Sequence, residues 1–498
     1  MPQQPTRLFD LFRLTLPLCG LLGLFGLLMP DSLIAAAAAI IRTAYASLDW
    51  FFMAAVSSFL IFLIWIAFSR YGDVKLGEDD DQPEFSTSSW IAMLFATGMG
   101  VGLLFWGSAE PLMHFDEPLM GSARTPAAAS RAMVLTAFHW GLHAWAIYGV
   151  VALAIAYFGF RRHEPYLPGS PVRHVFLGRW VAPVAWGSDL LAVVVVAFGV
   201  AGSLSMGVSQ LQTGLHEVFG TSSQSLGISV GILVALIVVY LGSAITPIDV
   251  GIRWLSNINM VLALLLLSVV LFSGETSFIL RVFVTSIGEY LQALPELAFQ
   301  TYPHKVGGEW LQKWTLTYFS SWIAWAPFVG VFIARISRGR TIRQFVGGVL
   351  VVPTLISILW IAVFGGTALH EELYGRGGIS EVISQDVTLS LFTLLQRLPF
   401  SRVVAIIAIS LDFLFLVTSA DSATFVLGMF TSDGQLDPPR NRRLAWGLSV
   451  GVLAVALMLS QNLDAVRSIT VLSAVPFTAV IMMQMAALGR TISLEKQL

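Results

Sequence analysis

The chain of 498 residues is 56% apolar and only 12% charged, about half the charge of an ordinary soluble domain, and its mean hydropathy is +0.78. A net charge of -2 excludes a basic nucleic-acid binder, and the apolar richness excludes a disordered chain. What remains is an all-α polytopic membrane protein, and its single cysteine, Cys19, excludes an intrachain disulfide or a multi-cysteine metal site.

Apolar runs close to the ~20 residues that a helical span needs recur from end to end. In chain order they lie near 14–29, 50–68, 90–106, 133–158, 190–211, 226–241, 255–272, 314–334, 345–364, 403–429, 444–459 and 469–488, which predicts twelve transmembrane helices. The first follows Arg7 and Arg13 and runs toward alanines 35–39, an outline shared with cleavable signals. It reads instead as a retained span, since its removal would leave an odd number. With the N-terminus inside, 18 of the 28 Lys and Arg fall on the inner face, from Arg7 to Lys496. That asymmetry marks cytoplasmic loops, so both termini are expected in the cytoplasm.

Three stretches between spans stand out. The acidic run Glu78, Asp79, Asp80 and Asp81 reads as a solvated loop. Val282 to Phe299, with Glu289 and Glu296, and Asp386 to Leu398, with Gln396 and Arg397, read as amphipathic helices lying on a surface.

The third span carries Gly98, Gly100 and Gly102 within five residues. Each weakens a helix by about 1 kcal/mol relative to Ala, which invites a break of the kind that frees backbone groups for substrates and cations at the membrane midplane. The same spacing also forms a GxxxG packing face. On the fourth span, at about 100° per residue, Trp140 lies about 80° from Tyr148 and Trp145 about 60° from it. Trp322 and Trp325 of the eighth span are again about 60° apart. Interfacial girdles explain many such rings; two clusters inside spans also suit a cage for a quaternary ammonium, which has no N–H to donate and is held by ring faces. His139 and His143 stand at i, i+4, a spacing open to a shared metal but better matched to buried hydrogen bonding. The tenth span places Thr418, Ser419, Asp421 and Ser422 deep in an apolar run, as hard-oxygen ligands for a small cation or as interhelical hydrogen bonds. No nucleophile elbow or clustered histidine constellation supports an enzyme.

The strings GMGVGLLFWGSAEP (98–111), FHWGLHAWAIY (138–148), WIAWAPFVGVFIARISRGRTIRQF (322–345) and TSADS (418–422) together resemble the betaine/choline/carnitine transporter family over nearly the whole chain. The resemblance implies a single transporter domain over 1–498: two extra N-terminal spans (1–88) and two inverted five-helix repeats, spans 3–7 (89–273) and 8–12 (314–488), assembled as a homotrimer. It implies a substrate cage of Trp140, Trp145, Tyr148 and Trp322, with Trp325 on the cytoplasmic path and the backbone at Gly98, Gly100 and Gly102 approaching the substrate. It further implies a sodium site of main-chain groups at Ala96, Met99 and Phe415 and the hydroxyls of Thr418 and Ser419. Gly102 stands where proton-coupled choline carriers have an aspartate. Ser321 replaces one of a tryptophan pair, and Val196 and Val200 replace threonines that offer some members a second sodium, so one coupling ion is expected.

The function implied is secondary active import of a quaternary-ammonium or related compatible solute of the glycine betaine, choline or carnitine type, with sodium expected as the driving ion, across a bacterial inner membrane. The alternatives are a sodium-independent exchanger and a non-transporting channel or receptor. No cofactor beyond the coupling ion and no nucleic-acid partner is expected. The long charged tails of osmosensing members are missing from this sequence, so transport is expected to be nearly independent of osmolality.

Overall fold

The computed structural model describes residues 10–98, 100–223, 225–244, 251–304, 307–459 and 463–495. Met99, Arg7 and Lys496 lie outside the described residues. Among the described residues the regular structure is helical, with one isolated bridge between Lys75 and Thr341.

Among the described residues eleven helices are long and apolar enough to cross a bilayer: Leu11–Leu28, Ala38–Phe68, Pro126–Arg161, Val181–Phe219, Leu226–Ala244, Trp254–Ser273, Gly308–Arg335, Ile342–Tyr374, Ser401–Phe430, Arg440–Leu459 and Ala474–Glu495. A twelfth span is the bent pair Thr87–Phe95 and Gly100–Asp116. Each coincides with one of the twelve apolar runs. Several are longer than the run that announced them, because capping rather than hydropathy sets their ends. Thr125 caps the fourth span by accepting from the Ala128 N–H at 3.2 Å, with Pro126 at the first helical position. The ninth span opens on a capping box of Thr341 and Gln344, which satisfies two backbone donors at once.

The core forms where spans approach closely. Gly330 of the eighth span meets the fourth so tightly that a Cβ there would lie 2.6 Å from Val151 Cγ1; Gly207 of the fifth would clash likewise with Leu416 of the tenth, at 2.4 Å. The first span lies against the eleventh, with Phe12 edge-on to Trp446 at 6.4 Å between ring centroids. Outward-facing Val238, Val261 and Val452 are each about two-thirds exposed, as suits side chains that meet lipid.

Both amphipathic stretches are helical. Thr276–Phe299 buries Ile279, Ser286 and Tyr290 while exposing Leu280, Val284 and Leu291. The second is a short 3-10 turn, Val387–Leu389, leading into Ser390–Gln396.

The acidic run is largely exposed, as a solvated loop should be, and two of its aspartates are also ion-paired. Arg338 binds Asp81 through two contacts at 3.1 and 3.2 Å, Arg161 meets Asp79 at 2.9 Å, and Arg335 meets Glu84 at 2.8 Å. Backbone hydrogen bonds from Gly339 to Leu76 and from Leu76 to Arg340, at 2.8 and 2.9 Å, tie the same two loops together. Charge counting along the chain does not reveal these pairs: the basic partners come from the turn between the eighth and ninth spans, more than 250 residues away, and from Arg161 at the end of the fourth span, 82 residues away. Glu495 near the C-terminal end joins this clasp by accepting from Tyr157, Arg161 and Arg162.

Candidate substrate and ion site

The glycine run breaks the third span, whose halves meet at 62°. Two of its glycines are required by what they touch. A Cβ on Gly100 would lie 2.6 Å from the Phe415 ring of the tenth span, and one on Gly102 would lie 2.9 Å from Trp140 Cη2. Gly98 ends the first half, and Ala96 lies within it.

Opposite the break, rings from the fourth and eighth spans converge. Trp140 and Trp322 meet edge to face with centroids 5.0 Å apart, Tyr148 meets Trp322 at 6.1 Å, and Trp145 meets Tyr148 at 5.8 Å. Perpendicular rings of this kind are the favoured aromatic geometry. The Trp322 indole N–H donates to the His139 carbonyl at 2.9 Å. The cluster is closed: Trp145 and Tyr148 are fully buried, and Trp322 is 8% exposed. Open cavities lie toward the other side of the surface helix, one of about 180 Å³ lined by Glu275, Phe278, His370 and Arg397.

Beside the cage sits a residue to which no role was assigned from the sequence. Glu110, fully buried on the third span, accepts from Trp140 Nε1 at 2.6 Å and Tyr318 Oη at 2.5 Å on one oxygen. Its other oxygen lies 2.6 Å from His139 Nδ1 and 3.3 Å from His114 Nε2, and His139 Nε2 reaches Thr315 Oγ1 at 3.0 Å. A carboxylate in a membrane span is itself a signal, and Glu110 lies within the glycine-rich string. His114 is at i+4 on the same span, but the other three partners come from the fourth and eighth spans, which spacing could not reveal. Glu110, His114 and His139 have ligand atoms close enough for a metal. Ligands at ~2.0 Å in a tetrahedral site stand over 3 Å apart, however, so the 2.6 Å contact is a hydrogen bond with no room for a cation between its atoms.

The two histidines of the fourth span part company. His139 is hydrogen-bonded as expected, while neither ring nitrogen of His143 has a partner among the described residues; its ring stacks on Phe319 at 5.6 Å. Between them the helix is interrupted at Gly141, and the hydroxyl of Tyr290, on the surface helix, accepts the Leu142 N–H at 3.0 Å.

On the tenth span, Thr418 Oγ1 lies 3.0 Å from the Phe415 carbonyl and 3.1 Å from that of Leu414. It also accepts from Asn259 Nδ2 of the seventh span at 3.1 Å, a partner the sequence did not suggest. Ser419 is buried one residue on. Asp421 instead accepts from Ser243 of the sixth span, an interhelical bond rather than part of this oxygen cluster.

The family model described as betaine/carnitine/choline family transporter matches residues 10–497. This chain belongs to that family. It is a multi-pass membrane transporter, not an enzyme. It is 40% identical over 477 residues to a glycine betaine transporter, OpuD, of Bacillus subtilis, covering 95% of this chain and 92% of that protein. It is 39% identical over 476 residues to an ectoine/hydroxyectoine transporter of Virgibacillus pantothenticus, covering 95% and 94%. Among solved structures, a Na+-coupled sialic acid symporter shares the fold with a TM-score of 0.51 at 14% identity, over 89% of this chain and 86% of that one.

Trp325 and Ser321 of this transporter lie on the eighth span with Trp322, and Val196 and Val200 lie on the fifth. Trp325 is half-buried, its Nε1 about 3.7 Å from where a Cβ on Gly199 would lie, and its ring is tilted at 58° to Phe328 with centroids 5.7 Å apart. Ser321 turns back to the Thr317 carbonyl at 2.8 Å, and Val196 and Val200 are buried and offer no side-chain oxygen.

Proposed function

We propose that this transporter imports a compatible solute with a quaternary or similarly substituted ammonium head, using the cage of Trp140, Trp145, Tyr148 and Trp322. The observation that carries the reading is the convergence of these four rings, buried in mid-span, on the glycine break of the third helix. Ring faces hold a methylated cation that cannot donate a hydrogen bond. The freed backbone at Gly98, Gly100 and Gly102 is suited to the polar end of such a solute. The names of the glycine betaine and ectoine relatives support the same substrate class.

In this proposal one sodium ion is the coupling ion. Its ligands are the main-chain groups of Ala96, Met99 and Phe415 and the hydroxyls of Thr418 and Ser419, which would replace the hydration shell that apolar neighbours cannot. Close contact between Gly100 and Phe415 brings the third-span break against the tenth span, so an ion there would be felt at the cage. Trp325 lies on the cytoplasmic exit path. Spans 3–7 and 8–12 act as inverted repeats, rocking against one another behind two accessory helices. The protein sits as a homotrimer in a bacterial inner membrane with both termini cytoplasmic.

The test is uptake by proteoliposomes of a panel of glycine betaine, choline, carnitine and ectoine against sodium concentration. Saturable, sodium-dependent uptake with a Hill coefficient near one is expected, and Thr418→Ala or Ser419→Ala should raise the sodium needed for half-maximal rate. Undiminished uptake in sodium-free potassium buffer would make the protein an exchanger or proton-coupled carrier instead.

A further inference from the structure

The cage rings carry no formal charge, yet one of them is anchored to a buried anion. Trp140 Nε1 can only donate, so the Glu110 oxygen it meets at 2.6 Å is an acceptor. The hydroxyl of Tyr318 converges on the same oxygen, and His139 and His114 face the other. With both histidines as neutral rings that donate from His139 Nδ1 and His114 Nε2, and with His139 Nε2 accepting from the Thr315 hydroxyl at 3.0 Å, four donors surround the two oxygens of an ionised carboxylate; the proposal takes these tautomers. The Glu110 side chain has no solvent exposure, so water does not screen it. Lys313, on the same span as Tyr318, is exposed and paired with Glu117 at 2.8 Å, which leaves it poorly placed to neutralise Glu110.

From this arrangement we propose that Glu110 supplies the counter-charge for the ammonium head through Trp140, and so biases the cage toward ligands of net positive charge. The proposal rests on the reading of the cage as the substrate site. The indole lies between the two charges: its N–H end is fixed by the carboxylate, and its ring meets Trp322 at 5.0 Å within the cage. A charge-assisted hydrogen bond fixes the ring's orientation, and the carboxylate attracts the cation across the width of one indole, in a region of low dielectric. The carboxylate of a zwitterion would enter at the glycine break of the same helix that carries Glu110. A zwitterion therefore gains less from Glu110 than a simple cation does.

The experiment compares choline, a cation, with glycine betaine, a zwitterion, in fluorescence titrations of the purified full-length protein and its variants. Glu110→Gln keeps the shape and can still accept from Trp140, but carries no charge. It should weaken choline binding about tenfold and glycine betaine binding by no more than about twofold, moving the affinity ratio at least about fivefold. Tyr318→Phe removes one donor and leaves the charge, so it should leave the ratio within about twofold of wild type whatever it does to both affinities. Equal weakening of both ligands in Glu110→Gln would overturn the proposal, leaving the substrate reading intact. So would a shift of the ratio in Tyr318→Phe that matches the one expected for Glu110→Gln, which also keeps the proposal testable should Glu110→Gln fail to fold. A wild type that binds neither compound would overturn the substrate reading itself.

Discussion

Glu110 and Asp81 are both acidic residues with Arg, His, Tyr or Trp donors around them, yet their settings differ in every physical respect. Glu110 has no exposed surface and four side-chain donors drawn from three spans. Asp81 is partly exposed and shares its oxygens with one arginine and a backbone N–H. Removing a carboxylate from water costs several kcal/mol unless every lone pair is met, so a charge inside the membrane must be saturated or absent. At the exposed clasp water does most of that work, and pairs there are individually worth little. The clasp compensates by number: Arg161, Arg335, Arg338 and Arg343 each hold a different acidic partner. One region concentrates its energy in a single residue, and the other spreads it.

The sharpest way to break this contrast is to remove Glu110 altogether. Glu110→Ala leaves four buried donors without an acceptor and should cost about 3–5 kcal/mol, seen as a large fall in melting temperature in detergent and loss of ligand binding. The next effect concerns the cage that Glu110 supports. At roughly 0.5–2 kcal/mol per cation-π contact, Trp322→Leu should weaken substrate affinity severalfold or more, with Trp322→Phe milder; equal affinities by fluorescence titration would refute ring-face binding. A smaller effect is expected at the interrupted fourth span, where Tyr290→Phe leaves the Leu142 N–H unpaired at a cost of about 1 kcal/mol, measurable as faster amide exchange around Gly141.

The smallest effects belong to the clasp. Arg338→Gln should leave the melting temperature within about 2 °C of wild type, because the neighbouring pairs remain. The hydrogen bonds and charges of Arg161 and Arg338 hold the Asp79 and Asp81 carboxyls below the usual aspartate range. A lowered folded-state value means that their stabilisation is fully present above an ordinary aspartate pKa of about 4 and is lost as pH falls through the lowered one. Limited proteolysis of the 72–84 loop should thus be unchanged from pH 7 to 5, and should accelerate only under stronger acid or, more weakly, in high salt.

The sequence by itself determined the membrane-spanning class, the twelve spans and the two amphipathic helical stretches, and it left the glycines of the third span open between a break and a packing face. These are local properties: hydropathy over one bilayer thickness, helical periodicity and the cost of adjacent glycines all act within some twenty residues. The two aromatic clusters, on the fourth and eighth spans, were legible because Trp and Tyr inside apolar spans are conspicuous, while their grouping into one set of four rings came from the family resemblance; the glycine string was legible because close packing leaves a compositional trace.

Only the tertiary structure decided what those features meet. Glu110 was visible as a letter in the third span, but its donors Trp140, His139 and Tyr318 lie about 30 and 208 positions away. Asn259 reaches Thr418 across 159 positions, and the acidic run 78–81 finds its arginines across as many as 257. His139 and His143 share a spacing and differ wholly in their surroundings. In each case the deciding quantity is the desolvation of a polar group against the hydrogen bonds that offset it. That balance depends on which spans become neighbours, and no window along the chain contains it.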